Sequence, residues 1–201
     1  MKLYYSPGAC SLSCDIALQE SGVKFTREKV DLKTKKTETG KDFNSINPKG
    51  YVPTLELDNG EILTECSVIL QYIADKAPEK QLAPLATSFE RYRLQEILIF
   101  LSTEIHKSFG PFFSADAPDK TKEMAREKIT SRLKILEERL NKSAFLMGEQ
   151  YTVADPYLFT LSRWLPKAGL KIEQWPSIAQ FFETVKARPA VADTLKAEGI
   201  S

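Results

Sequence analysis

The hydrophobic period of this chain changes once, and that change constrains the fold more than any other feature. Up to Lys76, strand-like and helix-like stretches alternate. Beyond the segment 77–88, which carries Pro78 and Pro84 among mixed charges, every strong pattern has the helical repeat. A chain of 201 residues has room for two small domains. The boundary is placed within residues 78–87, giving a first domain over 1–80 and an all-helical one over 87–201.

Lys2 to Tyr5 reads as a strand, broken by Ser6-Pro7-Gly8, and Leu12, Ile16 and Gln19 then recur at helical spacing until Gly22. Phe25 to Leu32 follows as a strand, reached by a crossover long enough for parallel pairing. Lys33 to Asn47 is polar and reads as a loop with a short helix. The runs Tyr51–Leu57 and Glu61–Thr64 flank Asp58-Asn59-Gly60, an antiparallel hairpin whose central residues tolerate positive φ. A helix with Val68, Ile69, Tyr72 and Ile73 on one side completes the half. The order β-α-β, a further helix, then β-β-α is the thioredoxin-like arrangement and predicts an α/β domain with a mixed four-stranded sheet.

The second half opens with a long helix from about Phe89 to Phe109, striped by Leu94, Leu98, Leu101, Ile105 and Phe109. Asp119 to Leu140 is its expected antiparallel neighbour, through Ala125, Ile129, Leu133, Leu136 and Leu140. Thr152-Val153-Ala154-Asp155 resembles a capping box in which an acidic residue replaces Glu or Gln. Trp175-Pro176 opens another helix, Arg188-Pro189 ends it, and a short helical segment follows.

Composition narrows the chemistry. Lys and Arg number 28 against 27 Asp and Glu, without runs of one sign, which argues against a nucleic-acid platform. No stretch approaches the roughly 20 apolar residues of a membrane span, and the N-terminus shows no signal-peptide core, so no membrane association and a cytoplasmic location are expected, with the periplasm left open. Three cysteines form neither a secretory disulfide framework nor a four-ligand zinc site, and the single His106 excludes two-histidine metal motifs; no metal is expected. Phosphate-binding glycine loops and nucleophile elbows are missing from the sequence. Thiol chemistry remains.

Cys10 lies where the loop turns into the first helix, and the free N–H groups and dipole of a helix start favour a thiolate. The competing reading is a small buried residue, as free cysteines often are; its place after the first strand tips the choice toward a reactive thiol. Cys14, one helical turn on, lacks the two-residue spacer of redox dithiols, and core packing is expected of it. Val52-Pro53 precedes a strand: a cis proline there exposes the Val52 N–H and C=O to an extended peptide, whereas a plain edge-strand proline does not. Thr64-Glu65-Cys66-Ser67 opens the next helix, either as a routine cap or as a site where N–H groups hold a carboxylate and Glu65 accepts from an ammonium. His106 falls about 120° from the Leu94-Leu101-Ile105 stripe and alone reads as an interface histidine before a catalyst; Lys107 alone is a solvated charge.

The segments Lys2-Leu3-Tyr4-Tyr5-Ser6-Pro7-Gly8-Ala9-Cys10-Ser11-Leu12, Asn47-Pro48-Lys49-Gly50-Tyr51-Val52-Pro53, Leu63-Thr64-Glu65 and Thr103-Glu104-Ile105-His106-Lys107-Ser108 together resemble the bacterial beta-class glutathione transferases. The likeness extends through Gly148-Glu149-Gln150-Tyr151-Thr152-Val153-Ala154-Asp155 to Ala197-Glu198-Gly199. It implies a thioredoxin-like domain that binds glutathione, a helical domain that meets the electrophilic co-substrate, and a homodimer. By matching position it implies that Cys10 contacts the glutathione sulfur and can form a mixed disulfide, with His106 and Lys107 completing the catalytic set. It further implies that Val52, with Pro53, pairs with the cysteinyl backbone, that Glu65 and Cys66 hold the γ-glutamyl end, that Lys35 meets the glycyl end, and that Thr103, Glu104 and His106 approach from the helical domain. Two positions depart from the family pattern: Cys66 stands where Ser or Gly is usual, and Ile99 replaces a polar residue that some relatives use.

The implied activity is conjugation of the glutathione thiol to small hydrophobic electrophiles, a detoxification chemistry with glutathione as co-substrate and no prosthetic group. Two alternatives stand beside it. One is a glutathione-dependent redox enzyme or reductive dehalogenase cycling through a Cys10 mixed disulfide; the other is a non-enzymatic carrier of hydrophobic ligands.

Overall fold

The computed structural model describes residues 1–200. It divides into two compact units: Met1–Ala83 together with the chain from Arg188 on, and Pro84–Ala187.

In the first unit, β1 (Lys2–Tyr5) runs parallel to β2 (Thr26–Asp31) with Leu3 opposite Arg27, and antiparallel to β4 (Thr54–Glu56), which pairs antiparallel with β5 (Ile62–Thr64). A fifth strand, β3 (Lys36–Thr37), pairs with β2, so the sheet has the order β3-β2-β1-β4-β5 rather than the four strands expected. Two residues carry no readable period; the chain turns into β3 because Lys35 adopts the left-handed conformation, φ +57°, with its N–H on the Asp31 carbonyl at 2.8 Å. The short helix expected in this stretch is the 3₁₀ turn Phe43–Ser45. The hairpin forms as read, but Gly60 alone of its turn residues has positive φ: Gly60 N–H donates to Leu57 O and Leu57 N–H to Glu61 O, each at 2.9 Å, which is a three-residue loop.

Helix α1 (Ser11–Ser21) ends at Gly22, whose φ of +70° suits the left-handed cap. It is buried nearly all round because α2 (Cys66–Lys76), β1 and α7 (Pro189–Glu198) all pack on it. Ile69, Leu70 and Ile73 of α2 face this core, whereas Val68, expected there, is exposed. Asp15, inside α1, is fully buried and takes a two-pronged ion pair from Arg27, with Nε–Oδ2 and Nη2–Oδ1 both at 2.7 Å.

The final helix departs from the expected division at 87–201. Helix α7 lies in the first unit: Val191 and Leu195 are buried, Glu198 accepts the Gly8 N–H at 2.8 Å, and Arg188 pairs with Glu20 of α1. Periodicity records that a helix has an apolar face but not which surface covers it.

The second unit is helical throughout. The expected first helix is α3 (Phe89–Phe100) followed by a wider π turn, 101–105, and a 3₁₀ stretch, 106–113. The His106 N–H reaches back to Leu101 O, five residues earlier, and Pro111 denies the following turns a backbone donor. The expected stripe Leu94, Leu98, Leu101, Ile105 and Phe109 is nevertheless buried. Helix α4 (Asp119–Leu140) buries the five residues expected and packs on 101–113, the continuation of α3. Helix α5 (Ala154–Ser162) is buried along its whole length. Its start is fixed by Asp155, which accepts from Thr152 N–H at 2.6 Å and Leu146 N–H at 2.9 Å. Glu137 of α4 accepts from the Ser177 and Ile178 N–H groups, at 2.9 and 3.0 Å, and so closes the open start of α6 (Pro176–Lys186).

Candidate functional site

In the first unit the two strand-to-helix junctions and the loop before β4 bring the expected residues together. Cys10 immediately precedes α1 and is the one cysteine of the three with appreciable exposure. Its thiol donates to the Val52 carbonyl at 3.3 Å. The expected thiolate is therefore not the resting form: burial and the neighbouring Cys66 push the Cys10 thiol well up, against the pull of the Cys10 and Ser11 backbone N–H groups. The helix start acts as expected but is outweighed by desolvation.

Val52 is buried and its bond to Pro53 is cis, the first of the two readings that the sequence leaves open. Its N–H has no partner among the described residues, which leaves a donor beside the carbonyl that Cys10 occupies. Asn47 holds this loop: its amide donates to Tyr51 O and Thr54 Oγ1, each at 2.9 Å, and its own oxygen accepts the Lys49 N–H. Lys35 reaches the same loop through Nζ to Gly50 O at 2.6 Å. A side chain at Gly50, φ +67°, would bring a Cβ to 2.9 Å from Asn44 Oδ1, so the tight loop demands glycine.

Glu65, just ahead of α2, sits at φ +69°, an uncommon conformation for a residue with a side chain and one found where function demands it. Its carboxylate accepts from Lys49 Nζ at 2.8 Å and Tyr51 OH at 2.6 Å. Asn47, Lys49 and Tyr51 escaped the sequence reading as participants; only their place in the family-like segment marked them. Cys66 begins α2 with its sulfur turned inward, 3.1 Å from Ser13 Oγ and 3.8 Å from Cys14 Sγ.

In the second unit His106 sits where the π turn gives way to the 3₁₀ stretch. Its Nδ1 lies 2.8 Å from Tyr157 OH, and its ring stands edge-on to Trp164, centroids 5.0 Å apart. Burial, with Lys107 adjacent, lowers its pKa to about 4, so the imidazole is neutral at pH 7 and acts as a hydrogen-bonding group rather than a cation. Lys107 is exposed. Thr103 donates to Ile99 O at 3.0 Å. Glu104 is held by Arg132 at 2.8 Å and Lys128 at 3.4 Å, which keep its carboxyl below the ordinary range. Ile99 is exposed.

Among the described residues no group of three or more histidine, cysteine or acidic side chains is arranged to hold a metal, and no helix is long and apolar enough to cross a membrane. The first unit thus sets a thiol, a backbone donor without a partner among the described residues, and an acidic residue at a helix start close to the same loop. Residues 8–76 match the glutathione S-transferase N-terminal domain, and residues 100–189 match the glutathione S-transferase C-terminal domain. The chain is 44% identical to glutathione S-transferase GstA of Escherichia coli O157:H7 over the full length of both. Among solved structures, BphK, a bacterial glutathione S-transferase in a ternary complex, superimposes with a TM-score of 0.98 at 48% identity, over 99% of this chain and all of that one. The beta-class enzyme of Sphingomonas chungbukensis gives 0.97 at 44% over both whole chains. The chain belongs to the glutathione S-transferase family, in its beta class.

Proposed function

We propose that this protein is a transferase that joins the thiol of glutathione to small hydrophobic electrophiles. The observation that carries this reading is the pairing, in one unit, of the Cys10 thiol on the Val52 carbonyl with a Val52 N–H that has no partner among the described residues, in a chain with full-length likeness to glutathione S-transferases. In it, Val52 pairs with the cysteinyl backbone of glutathione ahead of Pro53, the helix start at Glu65 and Cys66 receives the γ-glutamyl end, and Lys35 serves the glycyl end. Cys10, held neutral, donates to the glutathione sulfur as its charge develops. Neutral His106, with Lys107, accepts the proton released from glutathione, and Thr103 and Glu104 serve in binding glutathione rather than in the proton transfer. The thiolate then attacks the electrophilic carbon, forming a C–S bond as the leaving group departs.

Conjugation to a chloronitrobenzene, followed by absorbance with purified protein, tests this. Cys10→Ala is expected to retain part of the rate and His106→Ala to lose ten-fold or more; full retention in both removes these residues from the mechanism. Family likeness supports a cytoplasmic homodimer with a detoxifying role, and sedimentation as a monomer at micromolar concentration would reject the dimer.

The partial exposure of Cys10 favours a second reading, a monothiol redox cycle. In it the Cys10 sulfur attacks a mixed disulfide between glutathione and an acceptor thiol, takes the glutathionyl sulfur and releases the acceptor as its thiol; a second glutathione then attacks the Cys10–glutathione disulfide, glutathione disulfide leaves and the Cys10 thiol is restored. Intact mass after incubation with glutathione disulfide tests it: one reversible adduct on the wild type and none on Cys10→Ala supports the cycle, and no adduct on either rejects it.

A further inference from the structure

The three cysteines, two of them one helical turn apart and the third 52 residues beyond Cys14, converge in the first unit, and the pair closest to bonding distance does not include the exposed one. Cys14 Sγ and Cys66 Sγ stand 3.8 Å apart, one on α1 and the other on α2. Neither is committed elsewhere by a strong bond. The Ser13 hydroxyl donates to Cys10 O at 2.6 Å, so its oxygen is left to accept the Cys66 S–H at 3.1 Å, and the lone pairs of the Cys66 sulfur remain open to Cys14. A disulfide needs about 2.05 Å, an approach of under about 2 Å from the observed separation.

We propose that Cys14 and Cys66 form a redox pair that a hydroperoxide closes into a disulfide between α1 and α2. Access orders the steps. Of the pair, Cys66 lies nearer the surface, 7% exposed against a fully buried Cys14, so a small peroxide that passes the more exposed Cys10, whose thiol is engaged with the Val52 carbonyl, meets Cys66 before Cys14. The Cys66 sulfur attacks one peroxide oxygen, the O–O bond breaks, and the products are the Cys66 sulfenic acid and an alcohol, or water from hydrogen peroxide. The Cys14 sulfur then attacks the Cys66 sulfur; the S–S bond forms, the S–O bond breaks, and the hydroxyl leaves as water with the Cys14 proton. Two thiols are oxidised and one peroxide is reduced. The bridge lies one turn from Cys10 and next to Glu65, and its closure draws the Cys66 sulfur off Ser13 and off the Cys10 carbonyl, 3.8 Å away. Weakened glutathione binding in the bridged form follows; that consequence, unlike the bridge, rests on the function proposed above.

The test treats reduced full-length protein with hydrogen peroxide at doses that consume the Cys66 thiol, then alkylates, digests and maps it by mass. The expected result is a Cys14–Cys66 cross-linked peptide with a mass loss of about 2 Da, reversed by dithiothreitol, with Cys10 still alkylated. Cys66→Ser, which keeps the hydrogen bond to Ser13, abolishes the cross-link. A bridge from Cys10 to either other cysteine, Cys66 oxidised without a bridge, or Cys66 still reduced after peroxide has oxidised Cys10, each overturns the proposal. Glutathione titrated into both forms is expected to bind the bridged protein at least five-fold more weakly. Equal affinity overturns the coupling, whereas no binding to the reduced protein overturns the function and leaves the bridge standing.

Discussion

The two units neutralise their key groups by the same means and titrate in opposite directions. In the first, burial holds Cys10 as a thiol and raises the Glu198 carboxyl to about 8. In the second, burial holds His106 as a neutral imidazole, its pKa lowered to about 4. The first unit is organised around buried polar groups at chain junctions: Asp15 with Arg27, Glu198 on the Gly8 N–H, Asn47 across its loop. The second is organised around apolar helix stripes, and its polar side chains act chiefly as caps, Asp155 on α5 and Glu137 on α6. Desolvation sets the protonation state at both places, ahead of helix dipoles and neighbouring charges.

The largest effects come from the buried carboxylates. Asp155→Ala strips partners from two buried N–H groups and should cost about 3 kcal/mol in urea denaturation. Asp15→Ala leaves Arg27 without its anion and should cost about 3 kcal/mol as well. If either substitution is tolerated within about 0.5 kcal/mol, a buried polar group is not structural in that unit and the comparison fails.

The opposite titrations give a sharper contrast. Glu198 has a folded pKa above its unfolded value of 4.5, so its contribution is complete below about pH 4.5 and is lost as pH rises through about 8. His106 has a folded pKa below its unfolded value of 6.5, so its contribution is complete above about pH 6.5 and is lost as pH falls through about 4. Glu198→Gln should flatten the alkaline limb of the urea midpoint against pH, and His106→Asn the acid limb. Unchanged limbs in the variants would assign the pH dependence to other groups.

Smaller effects belong to contacts within each site. Tyr157→Phe removes the hydrogen-bond partner of His106 Nδ1 and should cost about 1 kcal/mol. It should also lower the conjugation rate more than it changes glutathione affinity, which steady-state kinetics separates. Lys49→Met, at an exposed ion pair with Glu65, should leave the denaturation midpoint where it is and shift glutathione affinity only two- to three-fold.

Much of the architecture was legible because local signals and tertiary packing agree. The strand at Lys2–Tyr5, the hairpin around Gly60 and the five buried positions of α4 all follow from period and turn chemistry. Partners remote in sequence were not legible. Glu137 caps a helix some 40 residues later, α7 returns to pack on α1, and Cys66 meets Cys14 across 52 residues. The π turn before His106 also escaped, since it leaves the buried stripe intact. At the site, Cys10, Val52 and Glu65 were readable as junction residues, but the neutral state of the thiol was not, because desolvation depends on the folded surroundings.

The central claim, that the first unit binds glutathione at the junctions of Cys10, Val52 and Glu65, is tested most directly by calorimetric titration of glutathione into the wild type and Glu65→Ala. The account predicts one site per chain in the wild type and at least ten-fold weaker binding in the variant, with the fold intact by circular dichroism. Equal affinity in the two proteins, or no binding to the wild type, would contradict it.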